Sequence, residues 1–388
     1  MRLILLLISF STISICHEMG PLEEMIRMLD GQDIPRYNCS SKNESEWLST
    51  GLIHPYFSIY YLISGTLFIL IAIPVLYVIG KDDFEKTSCF KLMFIIGLFE
   101  VTETFGVSIW PGISTSIGSV YCSHPRITVF FGKLTMIQWL SGTIMVLVLG
   151  INRLFDVLNI GKCLFDKNWK IYIISFICTL YGIYGSLFFD TVLYNSVYMA
   201  PLLDPMIGRP GVIYTNTLLT YHNLIVPCVV MLVYGLLCIF WYYKYTKQVK
   251  TANKFQKYVM MQSIAISLTY TIPAFLFDFF YFLKSPPFWL VIISDVFYQI
   301  SCGLPFILYL VMNKVIRRRV MNLIFCQKSP QMNASFTQRS SGGADNAIRD
   351  SSKWSNVQPV IRVTHVTNIV IESDTESSDV SVATNRNF

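Results

Sequence analysis

The sequence predicts an all-α membrane protein, a bundle of seven transmembrane helices with the N-terminus outside the cell and the C-terminus in the cytoplasm. Of its 388 residues, 53% are hydrophobic and 14% are charged, whereas about a quarter of positions are charged in an average soluble protein. Such a chain has more apolar surface than one globular core could bury, so a lipid bilayer is its natural solvent. Seven long apolar segments and an alternation of basic loops support the same fold class.

The N-terminal region is predicted to enter the secretory pathway. Residues 1–16, MRLILLLISFSTISIC, combine one basic residue with an apolar stretch and small side chains, which is typical of a cleavable signal peptide. A short signal anchor is the alternative. Residues 17–55 are polar and are predicted to form an extracellular segment, since they contain sequons for N-glycosylation at Asn38 and Asn43.

The predicted bundle covers residues 56–320. Each apolar segment reaches the ~20 residues that a helix needs to cross hydrocarbon. Prolines lie inside four of the segments, and packed membrane helices tolerate them as kinks. The segments are 56–80, 90–110, 127–150, 170–189, 218–243, 258–283 and 288–312.

The distribution of basic residues predicts the orientation. The loops after the first, third and fifth segments, with the stretch after the seventh, hold fifteen Lys and Arg residues, and the opposite loops hold three. Because basic loops stay in the cytoplasm, the N-terminus is placed outside. The net charge of +6 therefore reflects topology, and no nucleic-acid partner is expected.

The chain after the bundle is predicted to be a cytoplasmic tail. Residues 321–388 are rich in Ser and Thr, have few large apolar side chains and are expected to be disordered. Phosphorylation of the tail would recruit an arrestin-like adaptor. The sequence NKVIRRRVMNLIFC at its start alternates basic and apolar residues, which fits a helix lying on membrane lipids with a lipidation site at Cys326.

Catalytic and metal-binding signatures are absent from the sequence. It contains no GxSxG, HExxH or phosphate-binding loop, and its ten cysteines show no CxxC spacing. We therefore expect no enzyme activity, no cofactor and no metal site. Cys39 and Cys122 are the only cysteines placed outside after signal cleavage, and two thiols in an oxidising compartment often pair. Two unpaired thiols are the alternative.

Charged side chains inside the spans are expensive to bury and are the candidates for function. Glu103, Lys133, Asp278 and Asp295 all fall in the outer halves of their segments. They indicate either a ligand-binding cavity or a salt-bridged lock between helices, and the sequence does not separate the two. Glu100 lies deeper, where a carboxylate commonly serves an ion, proton or water network.

Five short sequences in order resemble the nematode serpentine receptors of class T, a family of chemosensory G-protein-coupled receptors, over most of residues 56–320. The resemblance implies an external small-molecule ligand, a heterotrimeric G protein as partner and a plasma-membrane location, with the sensory cilium as a candidate site. The sequences are SCFKLMFIIGLFE (88–100), VYCSHP (120–125), LGINRLFD (149–156), YHN (221–223) and GLPFILYLVMNKVIR (303–317).

The resemblance also implies roles at the cytoplasmic end. Arg153 stands where rhodopsin-like receptors carry the arginine of Asp-Arg-Tyr, while Asn152 replaces the acid before it. Pro305 and Tyr309 resemble the proline–tyrosine switch of the seventh helix. Glu100 is expected to take part in activation together with them. An ion-coupled transporter or ligand-gated channel, and a receptor for a secreted neuropeptide, remain the alternative functions.

Overall fold

The structure is a computed structural model of the chain, and its described part is mainly helical. It describes residues 23–24, 26–27, 34–81, 88–158, 160, 162–209, 211–248, 254–283 and 287–325. The predicted signal peptide, Cys326 and nearly all of the predicted tail lie outside these residues. The long helices are α1 (Pro55–Ile79), α2 (Ser88–Ile117), α3 (Pro125–Leu158), α4 (Asn168–Phe188), α5 (Thr217–Gln248), α6 (Lys254–Phe282) and α7 (Phe288–Met312), followed by the shorter α8 (Lys314–Ile324).

Six of these helices, α1 to α5 and α7, are long and apolar enough to cross a membrane. The sixth helix in chain order, α6, contains a shorter apolar stretch, Ile264–Phe279. Each predicted segment therefore corresponds to one helix in the described part of the chain. The structure also contains a small antiparallel hairpin that the sequence did not indicate, made of β1 (Leu193–Asn195) and β2 (Ala200–Leu202).

Several helices are longer than their predicted segments, and the largest extensions are in α2 and α3. In α2 the backbone forms a π-helical turn at Phe105–Ile109 and then continues as Trp110–Ile117. Pro111 has no N–H to donate to the preceding turn, and the wider π turn accommodates it without ending the helix. Helix α3 continues to Leu158, so Arg153 lies within the helix and not at its end. Helix α8 includes residues 321–324, which lie beyond the predicted bundle boundary at 320 but within the NKVIRRRVMNLIFC stretch that was expected to form a helix.

Helix α3 is the central helix of the bundle. Of the most apolar 18 residues in α3, 78% are buried, against 33% in α1. It packs against α2, α4 and α5. The contact with α4 is close because Gly182 has no side chain to separate the two helices. A Cβ at this position would lie 2.5 Å from the backbone oxygen of Ile137.

Gly182→Ala is expected to lower the stability of the bundle by about 1–3 kcal/mol, because the added methyl group meets backbone that cannot move aside easily. The measurement is the midpoint of thermal unfolding in detergent. Gly235 on α5 provides the matched control, since a Cβ there would have no heavy atom within 4 Å. Gly235→Ala should leave the midpoint unchanged or raise it, because alanine favours a helix over glycine. Equal effects of the two variants would contradict the packing.

One end of the bundle carries a folded cap, which we define as residues 34–54, 118–124, 190–209 and 211–216. Its apolar core contains Ile34, Tyr37 and Trp47 from the N-terminal segment, with Tyr121 from the loop before α3 and Leu193 from β1. Hydrogen bonds add to this core, for example from the Trp47 indole N–H to the Cys39 carbonyl at 2.9 Å. The N-terminal segment is thus part of the fold, not a free extension.

Two cross-links hold the N-terminal segment in the cap. Cys39 and Cys122 form a disulfide with their Cα atoms 5.5 Å apart. Arg36 donates to both carboxylate oxygens of Asp190, at 2.9 and 3.3 Å, just beyond the end of α4. Burial, with Asp190 adding to it, raises the pKa of Tyr37, so its hydroxyl stays protonated beside this pair.

Candidate functional site

A cavity of about 260 Å³ lies beneath the cap, between helices α3, α5, α6 and α7. The β1–β2 hairpin and its flanks form the roof, and aromatic side chains from three helices form the walls. Its volume suits a small molecule. The lining residues are Thr135, Met136 and Trp139 of α3, Val192, Pro201, Leu202 and Leu203 of the cap, Leu219, Thr220 and Asn223 of α5, Phe277 and Asp278 of α6, and Tyr298 of α7.

Asp278 is the candidate ligand-binding residue that lines this cavity. The Asn223 side chain lies beside its carboxylate and interacts with it favourably. Asn223 is itself oriented by Trp139, whose indole N–H donates to the amide oxygen at 2.8 Å. Because that oxygen is occupied, the amide nitrogen is the atom left to face Asp278. The three side chains thus form one polar wall of the cavity.

Glu103 lies behind the cavity wall. It is buried and accepts a hydrogen bond from the hydroxyl of Tyr298, 2.5 Å away. The Tyr298 ring lines the cavity and lies edge-on to Trp139, with ring centroids 5.0 Å apart. Glu103 therefore positions a lining residue and is not among the residues that line the cavity.

Glu100 has a similar environment one helical turn deeper. It is 1% exposed, and its Oε1 accepts a hydrogen bond from the Tyr270 hydroxyl at 2.7 Å. Its Oε2 is buried and has no partner among the described residues. The Tyr270 ring stacks on Trp139. Buried contacts therefore connect the cavity wall to the carboxyl group in the middle of the bundle.

Asp295 of α7 faces α1 and is not among the residues that line this cavity, although it lines a small neighbouring pocket that shares Thr135 and Val192 with it. It is buried and hydrogen bonds to the hydroxyl of Tyr61, which also lies 3.0 Å from the carbonyl oxygen of Met199 in the hairpin turn. This contact joins α1, α7 and the roof of the cavity. Asp295 is thus placed to hold the roof in position.

Lys133 is not brought together with the acidic residues expected beside it. Its ammonium group donates to the carbonyl oxygens of Ser186 and Phe189, at 2.5 and 3.1 Å. These carbonyls belong to the C-terminal end of α4, where a cation is favoured by the helix dipole. Among the described residues it forms no ion pair with Glu103, Asp278 or Asp295, so a salt-bridged lock built on Lys133 is not the arrangement found.

The opposite end of the bundle contains Asn152 and Arg153. Asn152 is 1% exposed and donates to the Ser88 hydroxyl, 3.0 Å away, at the start of α2. The Arg153 side chain lies within hydrogen-bonding reach of Cys89. Its Nε is buried and has no partner among the described residues. The first turn of α2 therefore contacts both residues of this pair.

Pro305 and Tyr309 lie in the buried part of α7 that leads to the same end. Tyr309 is 1% exposed and its ring packs edge-on against Phe306. Asn313 ends α7, and its side-chain oxygen accepts from the backbone N–H groups of Val315 and Ile316, which caps the N-terminus of α8.

The two sequons lie in the cap. Asn38 is half-buried and accepts from the Ser40 N–H, while exposed Asn43 caps the short helix Glu44–Leu48 through its side-chain oxygen. Capping occupies the oxygen of Asn43, so its amide nitrogen, the atom that a glycan would modify, remains at the surface.

Sequence reasoning missed the aromatic and amide residues of the site. Trp139, Phe277 and Tyr298 are unremarkable members of apolar segments, and only their depth relative to Asp278 hints at a shared cavity. Asn223 belongs to the YHN sequence, and its polar side chain inside an apolar segment was a usable signal. Asp190 directly follows an apolar segment, but nothing in the sequence indicated Arg36 as its partner.

Comparisons with known proteins agree on one family over most of the chain. The family model described as "Serpentine type 7TM GPCR chemoreceptor Srt" matches residues 25–333. Serpentine receptor class T-55 of Caenorhabditis elegans is 42% identical over 340 residues, covering 84% of this chain and 92% of the relative. The cap, the cavity and Arg153 all lie within the residues that match the family model.

Proposed function

The chain belongs to the Srt family of serpentine chemoreceptors, which are seven-transmembrane G-protein-coupled receptors, and on this basis we propose how its structure detects a ligand and signals. The protein is a multi-pass receptor of the plasma membrane. Membership of this family implies an external ligand and coupling to a G protein, and it does not favour a transporter, a channel or a neuropeptide receptor. It is a receptor family, not an enzyme family.

In the proposed topology all seven long helices cross the membrane, with the cap outside and α8 inside. Helix α6 has 29 residues, or about 43 Å at 1.5 Å per residue, which exceeds the ~30 Å of hydrocarbon. The excess of basic residues in loops on the side of α8 supports this orientation. It places residues 17–55, with glycans at Asn38 and Asn43, outside the cell after removal of residues 1–16, and the tail from 321 in the cytoplasm.

The proposed ligand site is the cavity beneath the cap. The observation that carries this proposal is the cavity beneath the cap, lined by residues of α3, α5, α6 and α7 together with the hairpin. A ligand there contacts four helices at once, so it can favour one arrangement of the bundle over another. Asp278 contacts the ligand directly, while Glu103 and Asp295 position the wall and roof, and Lys133 holds the outer end of α4 against α3.

Filling the cavity tests this proposal. We expect Thr220→Phe, which adds a ring to the cavity wall, to abolish the response to an activating compound while leaving basal nucleotide exchange on the G protein intact. The compound would be found by screening cells that express the wild-type receptor. Leu224→Phe is the matched control, because Leu224 lies one turn along α5 with 44% of its surface exposed outside the bundle. A normal response from Thr220→Phe would place the ligand elsewhere.

Signal transmission is proposed to run along α3. From Lys133 to Arg153 the helix spans 20 residues, about 30 Å, which connects the cavity with the cytoplasmic end. There Arg153 would engage a heterotrimeric G protein, and the contacts of Ser88 and Cys89 with Asn152 and Arg153 would restrain the resting state. Helix α8 would lie on membrane lipids, with Cys326 as its lipid anchor, and the tail would bind an arrestin-like adaptor. A sensory cilium is the proposed location, where the cap would face external chemicals.

A further inference from the structure

The charges around the cavity are unbalanced. Asp278 is the only charged residue among the described residues that line it. An acidic group within the membrane is costly unless a cation or several hydrogen-bond donors compensate it. The Asn223 amide beside it is polar but carries no charge.

Three basic side chains at this end of the described bundle have partners outside the cavity. Lys133 donates to the carbonyl groups at the end of α4, and Arg36 is paired with Asp190 in the cap. The buried His222 has both ring nitrogens within hydrogen-bonding distance of hydroxyl groups, those of Thr143 at 2.7 Å and Tyr181 at 3.0 Å. None of these three side chains lines the cavity.

The walls around Asp278 are suited to a positive charge with apolar substituents. Trp139, Phe277 and Tyr298 line the cavity, and Phe277 lies edge-on to Tyr298 with ring centroids 5.9 Å apart. The faces of aromatic rings attract cations, and such contacts are strongest where water is excluded. Met136, Leu202, Leu203 and Leu219 supply the apolar remainder of the lining.

From this combination of one carboxylate that has no ion-pair partner among the described residues, three aromatic rings and an apolar roof, we propose that the receptor recognises a small organic cation, an amine or a quaternary ammonium compound. The cationic group lies against Asp278 and the rings, and the apolar part of the ligand lies under the hairpin. An anionic compound would be repelled by Asp278, and a neutral one would leave the carboxylate without a counter-charge. This inference rests on the proposed position of the ligand site and adds the chemical class of the ligand.

The test compares charged probes with uncharged molecules of the same shape. The probes are choline against dimethylbutanol, and phenethylamine against phenethyl alcohol, each at millimolar concentration and equal ionic strength. The measured quantity is the midpoint of thermal unfolding of the purified full-length receptor. At least one of the two ammonium probes should raise the midpoint of the wild type by ~2–4 °C or more, because a ligand that binds only the folded state stabilises it. The matching alcohol should raise it less.

Two substitutions assign the effect to the cavity. Asp278→Asn keeps the size of the side chain and removes its charge, so the affinity for the ammonium probe should fall at least tenfold. Asp166→Asn is the matched control, since Asp166 is an exposed carboxylate just before α4, at the opposite end of the bundle, and it should retain the shift. Phe277→Leu should lower the affinity for the ammonium probe by ~3- to 30-fold, which is the range expected for loss of one cation–π contact.

Three outcomes would overturn the proposal: no shift with either ammonium probe, an equal shift with the matching alcohol, or an undiminished shift in Asp278→Asn. The result with the alcohols shows whether the proposed charge of the ligand or the proposed position of the ligand site is wrong. If the alcohols stabilise the wild type and Trp139→Ala abolishes that effect, the cavity binds ligands and only their charge was wrongly inferred.

Discussion

Arg153→Ala is expected to abolish activation of the G protein while the receptor still reaches the cell surface. We expect nucleotide exchange on a co-expressed G protein to fall at least tenfold, because each hydrogen bond from a charged group is worth about 1.5–3 kcal/mol. The measurement is ligand-evoked nucleotide exchange, normalised to surface receptor detected with an antibody against an N-terminal epitope tag.

The local structure gives the physical reason for this expectation. Arg153 lies within the last two turns of α3, next to Cys89, and its buried Nε has no partner among the described residues. A buried donor without an acceptor is costly, so an acceptor supplied by the G protein would be bound favourably. Loss of this side chain removes a group needed for coupling, and the packing of the bundle around Asn152 remains.

Arg126 provides the matched control, since it lies on the same helix at the capped end and is exposed. Arg126→Ala should leave nucleotide exchange within the range of the wild type. Undiminished exchange in Arg153→Ala at normal surface levels would contradict the role of Arg153. Loss of surface receptor would instead show that this residue serves folding.

The second large effect is expected from Cys39→Ser. The disulfide with Cys122 closes a loop with a sequence separation of 83 residues, and loss of a bridge of that length costs about 4–5 kcal/mol by chain entropy. The cap would also lose its anchor to the start of α3, and with it the ordered roof of the cavity. We expect a much lower midpoint of thermal unfolding, reduced surface expression and loss of the ligand response.

A double substitution makes this prediction specific to the bridge. If the two cysteines act only through their bond, Cys39→Ser/Cys122→Ser should be no less stable than either single variant. Cys228→Ser is the control, since Cys228 is a free and exposed cysteine of α5, and it should behave as the wild type. Additive losses in the double variant, or a single variant as stable as the wild type, would contradict the bridge as the source of stability.

The positions of the helices were predictable because apolar segments of membrane-spanning length leave the chain few alternatives. The boundaries of α7 agree with the predicted segment at 288–312. The predicted second segment ends at 110, directly before Pro111, whereas a π turn before this proline allows α2 to continue past it. Helix α3 was predicted too short because its last turns carry polar residues that mark the end of a span but not the end of a helix.

The partners of the charged residues were not predictable. The sequence indicated that Glu103, Lys133, Asp278 and Asp295 lie at similar depths, but depth does not specify which side of its helix a residue occupies relative to its neighbours. Lys133 was expected near acidic groups and lies instead against the carbonyl groups of α4. Only the packing of the helices showed that Asp278 is the one of these four residues that lines the cavity.

The sequence by itself therefore determined the number and order of the helical segments, the candidate charges and the family resemblance, because hydropathy and local sequence are properties of single segments. The tertiary structure decided the partners: Tyr298 for Glu103, Tyr61 for Asp295, and Asn223 with the aromatic rings around Asp278. The folded cap and its hairpin were likewise visible only in the tertiary structure. These contacts join residues far apart in the chain, and they depend on the rotation of each helix about its axis, which local sequence leaves open.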